Sequence, residues 1–158
     1  SYHSRLIPDS DLNLERSDYK NNPRNCIEYS VLKAICAFLN TDGGSVFIGI
    51  KEVTDVGQVI GINNEIEKLH NNSIDQYIRF IETRLKEFFD TKSLAKIKLE
   101  VQETDGKKVL EIKCGYVLEC LLNGKELWTR RPKNLLLIKP SERYKHLKAR
   151  EKKLNEKN

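Results

Sequence analysis

The sequence contains no methionine among its 158 residues. Even an initiator is missing, so we expect an excised domain or a processed chain. No apolar run approaches the ~20 residues of a membrane-spanning helix. Ser1 to Asn13 is polar and broken by Pro8, so a secretory leader is not expected either. The four cysteines, Cys26, Cys36, Cys114 and Cys120, form no C-x-x-C pair. His3, His70 and His146 have no nearby cysteine, which removes zinc from the expected ligands. This cysteine usage fits a reducing compartment, and we expect an intracellular, cytoplasmic protein without a membrane partner. Internal repeats and long flexible linkers are also absent.

Charge is abundant but unevenly placed. The net charge is +5, and residues 139–158 alone hold eight Lys/Arg against three acids. The body before them is therefore neutral. We divide the chain into a folded domain over 1–138 and a basic C-terminal helix or tail over 139–158. The tail reads either as a solvated helix or as a surface that touches phosphates.

Apolar periodicity places two main helices. The first is expected to start after Asn25, with Glu28 three residues on at capping-box spacing. Ile27, Val31, Ala34, Ile35, Phe38 and Leu39 then share one face, and Cys36 reads as core. The second helix is expected over residues 73–89, with Ile74, Tyr77, Ile78, Ile81, Leu85, Phe88 and Phe89 as its stripe. Alternation of Ile97, Leu99 and Val101 with charged residues predicts a half-wet strand. Asp105-Gly106 signals a hairpin into 109–114, and Asn123-Gly124 a second one between strands at 117–122 and 126–130. Leu135 to Ile138 is a last short apolar run. Pro140-Ser141 opens a final helix whose seam is Tyr144, Leu147, Glu151 and Leu154, with charge on its other faces. That seam is thin. It fits a helix lying along the body, pairing with a partner, or fraying.

The densest signal is Ala37-Phe38-Leu39-Asn40-Thr41-Asp42-Gly43-Gly44-Ser45-Val46-Phe47-Ile48-Gly49-Ile50. An apolar helix ends in a glycine pair and a strand starts at once. Asp18-Tyr19-Lys20 lies upstream and Gly57-Gln58-Val59-Ile60-Gly61 downstream. The turn is not a phosphate loop, because no G-K-[ST] follows and the order is helix to strand. ATP is therefore not an expected ligand.

This order of pieces resembles the AlbA-like domain of the Schlafen family, over roughly residues 12–137. The resemblance implies an α+β fold, a mixed or antiparallel sheet backed by two main helices, forming one AlbA-like Schlafen lobe, to which the charged C-terminal helix read above is added. It also implies a metal-dependent endoribonuclease acting on structured or small RNA. In such enzymes three carboxylates hold a divalent metal, and Asp18 and Glu52 fall on two of those positions. The first acid normally stands where this chain has Asn13, and Glu15 is the substitute if the loop is two residues shorter. Lys51 replaces a frequent Asp, and Asp18 replaces Glu. The implied catalytic and metal set is Glu15, Asp18 and Glu52, with Mg²⁺ or Mn²⁺, since hard carboxylate oxygens suit those ions.

Lys20 would neutralise a phosphate beside that set. Trp128-Thr129-Arg130-Arg131-Pro132-Lys133 resembles the family's late aromatic-and-arginine strand, making Arg130, Arg131 and Lys133 further nucleic-acid contacts. Trp128 reads either as core or as a platform for an unpaired base. Family ribonucleases set two lobes face to face around RNA. The resemblance thus implies a second AlbA-like lobe as partner, in a homodimer or with a related subunit. Two other readings stay open: a catalytically degenerate lobe that binds RNA or a paired subunit, which Asn13 favours, and a DNA-binding regulatory module.

Overall fold

The computed structural model describes the backbone of residues 23–53 and 56–157 and the side chains of 29–50 and 58–156. Elements run in the order α1 (Pro23–Leu39), β1 (Gly44–Ile48), β2 (Ile50–Val53), β3 (Val56–Val59), α2 (Asn63–Leu69), α3 (Ile74–Phe88), α4 (Thr91–Leu94), β4 (Ile97–Thr104), β5 (Lys107–Cys114), β6 (Leu127–Arg130), β7 (Leu135–Ile138) and, after a 3₁₀ turn at Pro140–Glu142, α5 (Arg143–Lys157). The class is α+β, as expected, and every strand pairing among the described residues is antiparallel.

The main sheet has the order β1-β5-β4, with Ile112 opposite both Val46 and Leu99. Its central strand contributes the fully buried Leu110 and Ile112. On β4 the expected alternation appears, with Lys98 and Glu100 exposed beside half-buried Ile97, Leu99 and Val101. Asp105 and Gly106 both take positive φ in the tight turn to β5, the geometry that a two-residue hairpin loop requires.

α1 begins at Pro23 rather than after Asn25. Proline suits a first helical turn, because its fixed φ is already helical and its missing N–H would have no partner there. The expected single apolar face is also too narrow. Ser30, Leu32, Lys33 and Cys36 are buried together with Val31, Ala34, Ile35 and Leu39. The helix lies between the main sheet and the β6–β7 hairpin, so both sides are covered. Lys33 is 1% exposed, with its ammonium 4.8 Å from the Tyr29 ring centre and 4.9 Å from that of Trp128. Two aromatic faces thus replace part of its hydration. The thiol of Cys114 is pushed up to about 12 by burial. Cys36 is raised as well, by its hydrogen bond with Cys120 and by burial. Both are core groups rather than nucleophiles.

α3 matches its expected span. Ser73 is the N-cap, its side chain accepting from the Gln76 N–H, and Phe89 closes the helix. The expected strand at 117–122 is not formed. Asn123 and Gly124 do make a left-handed turn, but the pairing stops at one bridge, Leu122 to Glu126. The backbone of this segment bonds to the end of α1 instead: Val117 N–H donates to Leu39 C=O at 2.8 Å. β6 pairs forward with β7.

Candidate nucleic-acid interface

The turn at residues 40–44 builds one wall of a cleft. Asn40 is 1% exposed. Its Nδ2 donates to Cys120 C=O at 2.8 Å and to Trp128 C=O at 2.9 Å, while its Oδ1 accepts from Cys120 N–H at 2.7 Å. One side chain thereby ties α1 to both the 115–122 segment and β6. Thr41 Oγ1 donates to Ala37 C=O at 2.8 Å, closing the helix end. Gly43 has φ +81°, and a Cβ there would stand 2.6 Å from Cys114 C=O. Gly44 leaves the space that the Phe38 ring occupies. The Arg130 guanidinium lies 4.3 Å from the centre of that ring. The glycine pair therefore makes the platform on which an exposed arginine rests.

α5 makes the opposite wall. Arg150 is 6% exposed. Its guanidinium donates to Val117 C=O at 2.6 Å, Thr41 C=O at 2.8 Å, Leu118 C=O at 3.0 Å and Leu39 C=O at 3.3 Å. Leu39 and Thr41 carry carbonyls at the C-terminal end of α1, where a cation also meets the negative end of the helix dipole. Arg143 adds a hydrogen bond to Lys125 C=O. Tyr144 is 71% exposed, so the expected seam is not continuous; Leu147, Glu151 and Leu154 are its half-buried part, and the buried Arg150 lies beside it.

Removing this anchor is testable. Arg150→Met orphans several carbonyls and should cost about 3 kcal/mol in a urea melt. Arg150→Lys should recover only part, because an ammonium lacks the planar fork. A midpoint unchanged in Arg150→Met would show that α5 is held by something else.

Between these walls lies a cleft of about 520 Å³, lined by Asn40, Thr41, Asp42, Gly43, Thr129, Arg130, Arg131, Pro132, His146, Ala149, Arg150 and Lys153. Four permanent cations face it, against Asp42 as the one carboxylate among its described lining residues. Lys153 Nζ stands 3.8 Å from Asp42 Oδ2. His146 is held below the usual imidazole range, first by burial and then by the Arg150 charge, with Glu119 opposing. Both effects favour the uncharged ring. A second cavity of about 410 Å³, between α1, α3 and the sheet, is lined mainly by apolar groups such as Val31, Ile48, Tyr77, Phe80 and Leu85. It offers a polyanion little.

Of the residues singled out in the sequence, Arg130 and Arg131 line the cleft, and Lys133 is exposed on the β6–β7 turn. Trp128 is 7% exposed, with its indole N–H donating to Glu126 at 3.2 Å, so it belongs to the core and not to a stacking surface. Glu15, Asp18 and Lys20 lie outside the described residues, as does Asn13. Glu52 has a described backbone only, on β2 opposite Gly57. Among the described residues no group of three or more His, Cys, Asp or Glu is placed to hold a metal ion. Among them, too, no helix is long and apolar enough to cross a membrane. Sequence reasoning missed Asp42, His146, Arg150 and Lys153. The last three stand four and three residues apart, spacing that puts them on one helix face, and this was the available signal.

A single α+β lobe with a cationic cleft beside a helix–Gly-Gly–strand turn is the class that these features define. The chain matches the family model described as Schlafen, AlbA_2 over residues 13–136, and it belongs to that family. No curated protein and no solved structure matches it.

Proposed function

We propose that this chain is an RNA-binding Schlafen lobe that works as one half of a metal-dependent endoribonuclease. The observation that carries the reading is the exposed Arg130–Arg131 pair at the end of β6, set in a cleft where cations outnumber carboxylates. Arginines on a rigid strand end suit phosphate oxygens, and the Phe38 ring holds Arg130 in place without consuming its donors. Family membership supports RNA as the polyanion and supports a second lobe, identical or related, across the cleft.

Glu15, Asp18 and Glu52 would hold Mg²⁺ or Mn²⁺, for which an all-carboxylate set is suited. Bound there, the ion would stabilise charge on the phosphodiester and acidify a water. The chain's own contribution is to bind and orient the backbone through Lys20, Arg130, Arg131 and Lys133. Asn13, standing where an acid is usual, favours a second reading in which the lobe binds RNA without cutting it.

The test is incubation of the purified chain with labelled tRNA and labelled single-stranded RNA, with Mn²⁺, with Mg²⁺ and with EDTA. Cleavage that needs the ion supports the nuclease. Binding without cleavage supports the accessory lobe. Absence of both would overturn the RNA reading.

A further inference from the structure

We propose that the cleft between α5, the end of β6 and the turn at residues 40–43 seats a backbone phosphate of RNA, with Lys153 leaving Asp42 to bind it beside Arg131. This rests on the reading of the chain as an RNA-binding lobe, and it assigns a site to a helix outside the family's shared part. The family match ends at residue 136, whereas α5 spans Arg143–Lys157.

Three observations carry it. First, Arg150 fixes the rotation of α5. Its guanidinium is committed to backbone carbonyls, so it does not itself bind ligand, but it aims the face bearing His146 and Lys153 into the cleft. Second, the present partner of Lys153 is a weak one. The pair is 3.8 Å apart, with the lysine side chain 60% and the aspartate side chain 62% exposed. Exposed pairs of this kind are worth only about 0–1 kcal/mol, so exchanging Asp42 for a phosphate costs little. Third, the lining carries an excess of positive charge that Asp42 only partly offsets, and a volume of about 520 Å³ admits a phosphate with its attached sugar. The salt dependence contributed by this cleft should come from Arg130, Arg131 and Lys153.

The experiment uses the full chain and a fluorescein-labelled oligouridylate, with anisotropy measured across a KCl series. Lys153→Gln should weaken binding about threefold to tenfold and reduce the slope of log K against log salt by about 0.7, one phosphate's worth for a single strand. Asp42→Asn should act in the opposite direction, tightening binding about threefold by removing the competing carboxylate. Loss of folding cannot produce that gain. Lys98→Gln, on the outer face of β4, should leave both affinity and slope in place. Uridine monophosphate should compete weakly.

If the wild-type chain binds RNA but neither cleft variant changes affinity or slope, the phosphate seat is overturned while the RNA reading stands. If the wild-type chain does not bind at low salt, both fall. Uridine monophosphate binding as tightly as the oligomer would overturn the polymer as occupant.

Discussion

Asn40→Asp is expected to cost about 4 kcal/mol or more at neutral pH, enough to unfold most of a marginally stable domain. The side chain is 1% exposed and makes three hydrogen bonds to the backbone of Cys120 and Trp128. Aspartate keeps the shape and the acceptor for the Cys120 N–H. It loses both donors, however, and turns a charged oxygen toward two carbonyls in a buried site. Asn40→Ala should cost less, about 3 kcal/mol, since it orphans the same groups without adding a charge.

The two variants separate by pH. Burial among carbonyls raises the folded-state pKa of an aspartate at position 40 above its unfolded value of about 4. The variant therefore regains stability as pH falls through that raised value, because the folded state then binds the proton more tightly than the unfolded chain. Asn40→Ala has no such group and should not recover. Urea midpoints at neutral and at mildly acidic pH give the comparison. Equal midpoints for wild type and Asn40→Asp would mean that α1, the 115–122 segment and β6 are not joined through this residue.

Most of this fold was legible where one local rule dominated. The span of α3 and its stripe apart from the exposed Ile74, the alternation on β4 and the Asp105-Gly106 turn all follow from period and turn chemistry within a short window. What failed depended on partners distant in sequence. Residues 117–122 have the apolar content of a strand and a genuine turn behind them, yet their backbone groups bond to Leu39 and to the Asn40 side chain. No local pattern reports that competition. The apolar stripe of α1 left Lys33 out, because the two rings that flank it come from Tyr29 on the same helix and Trp128 far along the chain. The Gly43-Gly44 pair marked a tight turn correctly. Its consequence, room for the Phe38 ring beneath Arg130, is visible only in three dimensions. For the candidate site, Arg130 and Arg131 were found through a motif. The α5 face of His146, Arg150 and Lys153 was hidden inside a block of like charge, where periodicity in basic residues carries less weight than periodicity in apolar ones.

Asp18→Ala and Glu52→Ala are each expected to lower RNA cleavage at least about a thousandfold, about 4 kcal/mol of barrier, while leaving the protein folded and able to bind RNA. The dissociation from binding follows from where the affinity resides. Under the proposed reading the phosphates are held by Lys20, Arg130, Arg131, Lys133 and the α5 face, so deleting a carboxylate removes a repulsion and should leave affinity equal or slightly higher. Glu52 lies opposite Gly57 in the short β2–β3 ribbon, and truncating it should move the urea midpoint by no more than about 0.5 kcal/mol. Gel cleavage in Mn²⁺, beside anisotropy in EDTA, measures the two effects separately. Cutting unchanged in both variants would remove the proposed carboxylate set. The remaining ligand is then decided by two further changes. If Glu15 has taken the place of the missing acid, Glu15→Ala should fall with Asp18→Ala, and Asn13→Asp should add nothing. If Glu15→Ala is silent and Asn13→Asp raises cleavage, the site of this chain is one carboxylate short. A lobe of that kind binds and positions RNA and leaves the stronger cutting centre to its partner.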